Sequence, residues 1–130
     1  MTTVKKIFEY YKEKLKNIGY NENQIHLIGN GEKIKYDKIK GNVGMSIFLD
    51  KSPSQDQLTH AIQTYFLRFE WIETNDFIIE KIEAFENEIS RVFYLDDGTN
   101  VSANCKGVEK YTGWKETIVT AILKIECSII

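Results

Sequence analysis

Residues 59–73 read THAIQTYFLRFEWIE, the most aromatic stretch of a 130-residue chain, and two periodicities compete for them. As a helix, Ser52-Pro53 would supply a cap followed by proline at the first helical position, with Leu58, Ile62, Tyr65, Phe66 and Phe69 near helical spacing. As a strand, Ala61, Tyr65, Leu67, Phe69 and Trp71 share one face, interrupted only by Gln63. His60, Thr64, Arg68 and Glu70 take the other face, with Ile62, Phe66 and Ile72 among them. Composition decides between the two. Thr, Tyr, Phe and Trp suit a pleated surface better than a helical one, so residues 60–72 are read as a strand whose Tyr65, Leu67 and Phe69 face the core.

Upstream, NVGMSIFLD alternates with Val43, Met45, Ile47 and Leu49 on one face, a second long strand, and KSPSQDQ connects the two. Before it lies QIHLIGNGEKIKYDKI. Asn30-Gly31 is a strong hairpin signal, flanked by Ile25 and Leu27 on one side and Ile34 and Tyr36 on the other, so a hairpin is expected here. The chain begins with an amphipathic helix: Val4, Ile7, Phe8, Tyr11, Leu15 and Ile18 share a face, and Gly19 stands at the C-terminal cap.

Downstream, TNDFIIEKIEAFENEISRVFYL places Ile78, Ile82, Phe85, Ile89 and Val92 at helical spacing, with Asn75 or Asp76 able to cap and Glu80, Glu83 and Glu86 pointing outward. Asp97-Gly98 marks a turn. Val101, Ala103 and Cys105 then alternate, Thr112-Gly113 marks a second turn, and residues 119–129 alternate again through Val119, Ala121, Leu123, Ile125, Cys127 and Ile129. The order is helix, hairpin, two long strands, helix, hairpin. It predicts a single α+β domain over residues 1–130, a mainly antiparallel sheet packed on two amphipathic helices. No repeat, low-complexity segment or linker interrupts it.

The totals narrow the function classes. A net charge of −2 gives no general attraction to nucleic acid or anionic membrane, and no apolar run is long enough to span a bilayer. The first residues lack the apolar segment and cleavage site of a signal peptide. Two cysteines without ligand spacing fit a reduced, cytosolic chain, and both are expected as buried hydrophobes. The many Lys and Ile residues, with Arg limited to Arg68 and Arg91, suggest an AT-rich genome such as that of a low-GC bacterium or its phages.

The search for chemistry returns no catalytic signature. His26 and His60 have no partners at metal-ligand spacing, Asp96-Asp97-Gly98 lacks the spaced ligands of a calcium loop, and Gly29-Asn30-Gly31 is too short to cradle a phosphate. The expectation is a non-enzymatic chain with no metal and no cofactor. Lys33, Lys35, Lys38 and Lys40 crowd around Tyr36. Basic residues interleaved with an aromatic suit nucleic acid, but the acidic balance and the lack of a nucleic-acid motif favour a Lys-guarded strand edge facing solvent or an assembly partner. Phe66 and Ile72, with Ile118 and Ile122, place apolar groups on the face opposite the core, as subunit interfaces do. The candidate interface is therefore Lys33, Lys35, Lys38, Lys40, Phe66 and Ile72.

In its order of elements the chain resembles the tail terminator (tail completion, or minor capsid) proteins of long-tailed bacteriophages. The likeness runs from the helix VKKIFEYYKEKLKNI through NVGMSIFLD and THAIQTYFLRFEWIE to the acidic helix DFIIEKIEAFENEISRVF and the final hairpin with YTGWKETIVTAILKIEC. It covers nearly the whole chain but carries no motif, so no functional residue transfers from it. The resemblance implies a structural virion protein, assembled in the host cytoplasm as a hexameric ring. That ring would cap the tail tube and join tail to head through a tail tube protein and a head-completion protein, with no membrane and no sequence-specific nucleic acid. Two other classes stay open: a small phage or bacterial binding module, such as an inhibitor of host defence or a dimeric ligand-binding α+β domain, and a small enzyme using Tyr, Glu or Lys.

Overall fold

The computed structural model describes residues 2–28, 41–49, 63–74, 77–112 and 118–129. Its centre is β3 (Thr64–Thr74), which contains most of the aromatic stretch as a strand. Tyr65, Leu67, Phe69 and Trp71 alternate into the core and are buried, as the period-two reading requires. Residues 60–62 of the expected strand lie outside the described residues.

β3 pairs antiparallel with β2 (Asn42–Leu49) on one side and with β6 (Ile118–Ile129) on the other. Phe69 stands between Met45 and Leu123 in this register, and all three are fully buried. β6 pairs antiparallel with β5 (Asn100–Thr112), and β5 with β4 (Val92–Tyr94). β1 (Ile25–Leu27) adds to the outer side of β2, so the six strands run β1-β2-β3-β6-β5-β4. The last strand in the chain is thus one of the two central ones.

Helix α1 (Thr3–Asn17) starts where Thr2 accepts a hydrogen bond from the Lys5 backbone N–H, a cap that contributes about 1 kcal/mol. It ends in a complete Schellman motif: the Gly19 N–H bonds Lys16 O, the Tyr20 N–H bonds Leu15 O, and Gly19 takes φ 111°. Only glycine adopts that backbone without strain. Ile7, Phe8, Tyr11 and Leu15 are buried, and Lys14 and Lys16 occupy the last turn, where the helix dipole favours cations.

Helix α2 (Ile78–Glu88) buries Ile78, Ile82 and Phe85. The core is an aromatic cluster between both helices and the sheet. The ring centroids of Phe69 and Phe85 lie 5.1 Å apart, those of Trp71 and Phe85 5.2 Å, and those of Tyr11 and Phe69 5.5 Å, within the range where such pairs attract. Both helices pack on one face of a mainly antiparallel sheet, so the fold is α+β.

One expectation is corrected. The helical spacing of the sequence runs on to Val92, but the chain leaves the helix at Ile89, whose ψ is 148°. Val92 instead begins β4 and is 51% exposed, while Phe93 turns inward to stack on Tyr10 with ring centroids 3.7 Å apart. A β-branched and aromatic run, VFY, prefers the pleated edge to another helical turn. Phe77 holds the N-cap position of α2 and makes no side-chain cap bond; Asn75 and Asp76 lie outside the described residues. Ile25–Leu27 also pairs in parallel with Val43–Met45 of β2, across a long connection, and the residues expected to complete a hairpin after Asn30-Gly31 are not among those described. The turns expected at Asn30-Gly31 and at Thr112-Gly113 thus lie, wholly or in part, outside the described residues.

Candidate assembly surface

Of the six residues expected at an interface, Lys33, Lys35, Lys38 and Lys40 lie outside the described residues. Phe66 and Ile72 do lie on the sheet face opposite the helices, in register with Phe48 and Asn42 of β2. Phe66 is half-buried. Ile72 is 2% exposed, so its side chain is covered within the chain and offers no spare surface to a neighbour. The reading of Ile72 as surplus surface is corrected: alternation identifies the face a residue takes but not whether that face is covered.

The same face carries polar groups at depth. Ser46 and Asn42 are buried, Glu70 is 7% exposed, and the Arg68 guanidinium lies 3.5 Å from the Glu70 carboxylate. His26 Nε2 and Asn42 Oδ1 are 2.9 Å apart, tying β1 to β2 through their side chains. On the helix side, Tyr20 donates to Glu73 Oε2 at 3.3 Å, and the Thr74 N–H donates to Glu73 Oε1 at 3.0 Å, so this buried carboxylate is satisfied at the end of β3. Burial, then the neighbouring Glu73 charge, raises the Tyr20 phenol far above its ordinary pKa.

Neither cysteine has the environment of a nucleophile. Burial pushes the Cys127 thiol up to about 11, although the Tyr11 hydroxyl 3.4 Å away pulls slightly the other way. Burial also raises Cys105, whose thiol faces Glu86. A thiol held protonated at neutral pH is a poor nucleophile and a poor metal ligand. Among the described residues no group of three His, Cys, Asp or Glu side chains is arranged to hold a metal ion. One cleft of about 110 Å3 lies beside Cys105, between Ile89 and Arg91. Another of about 260 Å3 opens between Lys6, Glu9 and Tyr10 of α1 and Tyr94, Leu95 and Asp96 after β4. Lys6 is also bonded to Asp97, and that bond, with one from the Thr99 N–H, holds the Asp97 carboxyl far below the usual range.

The exposed large apolar residues fall elsewhere. Leu27 lies on edge strand β1, Val92 and Tyr94 on edge strand β4, and Val108 on the part of β5 beyond β4. Tyr94 is 67% exposed. Phe77 and Ile79 stand at the start of α2, at 53% and 48% exposure. Both sheet edges end in three-residue strands, so β2 is strand-paired on its outer side only at Val43–Met45 and β5 only at Asn100–Ser102, among the described residues. Sequence reasoning missed these residues because exposure at an edge depends on how short the neighbouring strand is. The only local signal is the VFY run itself.

No protein-family model matches the chain, and no curated protein matches it in sequence.

Proposed function

We propose that this chain is a structural subunit that closes into a ring, acting as a phage tail terminator that caps the tail tube and joins tail to head. The observation that supports this reading best is the inequality of the two sheet edges. One edge presents Leu27 on a strand parallel to its neighbour; the other presents Val92, Tyr94 and Val108 on antiparallel strands. A ring requires two different complementary patches per subunit, whereas a two-fold dimer requires one patch that fits itself. Exposed apolar groups at both ends of one sheet are the kind of surface that association covers. The reaction chemistry is none; the partners are neighbouring copies, a tail tube protein and a head-completion protein, within a virion assembled in the host cytoplasm.

Native mass measurement and negative-stain imaging of the purified chain test the proposal, with a ring of about six copies as the expected result. Deleting the gene from a phage that carries it should give tails of uncontrolled length that fail to join heads. A compact dimer, with normal tails after deletion, would refute the ring and favour the small binding module instead.

A further inference from the structure

Most cations among the described residues are already matched on their own surface. Lys5 and Lys12 lie beside Glu9, Lys12 also bonds Glu22, Lys16 lies beside Glu13, and Lys6 is held by Asp97. Lys106 faces Glu126, and Lys81 turns back to donate to Ile18 O. The exposed face of α2 is different. Glu80, Glu83 and Glu86 point outward in a row; Glu80 and Glu83 make no ion pair among the described residues, and Glu86 meets only the Cys105 thiol. Ile79 stands at the head of this row, half-exposed. The patch is therefore acidic with an apolar end.

The sequence holds one segment of the opposite character. Residues 33–40, KIKYDKIK, carry Lys33, Lys35, Lys38 and Lys40 interleaved with Ile34, Tyr36 and Ile39. Resting on the ring reading, we infer that the outer face of α2, through Ile79, Glu80 and Glu83, is the surface on which residues 33–40 of the neighbouring copy dock. Charge complementarity sets the register and an apolar contact at Ile79 anchors it. The contact is heterologous, since helix meets basic segment and never its own equivalent.

A charge-swap experiment tests this. One variant carries Glu80→Lys and Glu83→Lys; the other carries Lys35→Glu and Lys38→Glu. Circular dichroism and thermal melts establish that both remain folded, which is expected because the two glutamates are exposed. Alone, each variant sets like charges against each other at every interface and should lose ring association by about tenfold or more. Mixed in equal amounts, the two should recover rings in which they alternate, because every interface then joins opposite charges. Recovery in the mixture also separates contact between chains from contact within one chain. Rings from each variant alone, as stable as wild type, would overturn this surface while leaving the ring reading intact. Loss in both without recovery on mixing would overturn it too. A wild-type chain that never assembles would overturn both.

Discussion

Replacing Phe69 with alanine tests the packing that holds the two layers together. The ring is fully buried at the middle of β3, opposite Met45 and Leu123 and within 5.1 Å of the Phe85 ring and 5.5 Å of the Tyr11 ring by centroid distance. Removing a buried Phe side chain costs about 3–5 kcal/mol, which includes both lost transfer free energy and the cavity left behind. Two ring contacts, each worth about 0.5–1.5 kcal/mol beyond area burial, place Phe69→Ala toward the upper end. A domain of this size has only about 5–15 kcal/mol in total, so the variant should be folded but marginal. In urea, with a slope of about 2 kcal/mol per molar, the midpoint should fall by about 2 M. Far-UV circular dichroism follows the transition, repeated at several protein concentrations because any association between copies would add to apparent stability. Phe77→Ala, at a side chain 53% exposed, is the control and should shift stability by about 0.5 kcal/mol or less. A Phe69→Ala cost below about 1 kcal/mol, or one equal to that of Phe77→Ala, would refute the assignment of Phe69 to the core.

Lys81→Met removes the bond to Ile18 O (3.2 Å) and the ammonium above the Tyr20 ring (5.2 Å) while keeping the aliphatic stem; a loss of about 1–2 kcal/mol in urea unfolding is expected, and no loss would mean that the end of α1 needs no such tie. Both thiols should label slowly in the native protein at pH 7, with Cys127 slower than Cys105, and rapid labelling of Cys127 before unfolding would contradict its burial. Because the folded Asp97 carboxyl lies below its unfolded value of about 3.9, its bond to Lys6 adds stability above that pH and loses it as pH falls toward the folded value. The melting temperatures of wild type and Asp97→Asn should therefore differ at pH 6, and the difference should shrink progressively as pH falls below about 4; a difference independent of pH would exclude the charge as its source.

The elements that were legible in the sequence are those whose periodicity is local. α1 declares itself through the spacing of Ile7, Phe8, Tyr11 and Leu15, and β3 through the alternation of Tyr65, Leu67, Phe69 and Trp71, each of which is buried where the pattern puts it. Where local patterns overlap, tertiary packing decides. Val92 satisfies the helical interval from Ile89 as well as strand propensity, and the stacking of Phe93 on Tyr10 settles the competition in favour of β4. The parallel pairing of β1 with β2 was not legible, since nothing in Ile25–Leu27 specifies a partner so far along the chain. For the candidate surface, the acidic row on α2 could be read directly because it is the complement of a buried stripe. The covering of Ile72 could not, because it depends on what lies over the far face of the sheet.

β6 is both the last strand of the fold and the bridge between its two halves, β1-β2-β3 and β5-β4. On a ribosome, the interval from Thr74 to Ile129 takes about 3–10 s at ordinary elongation rates. Until β6 follows, β3 has one side unpaired and its apolar face lacks Leu123 and Ile125. Helix α1 waits as well, because Tyr11 packs near Cys127 and Tyr10 on Phe93. Early termination or a stall before residue 118 would therefore release a half-sheet with an open apolar edge, a template for wrong pairing. The central sheet is therefore closed only once translation has passed β6, which makes the completeness of the core a late and all-or-none event in the making of this chain.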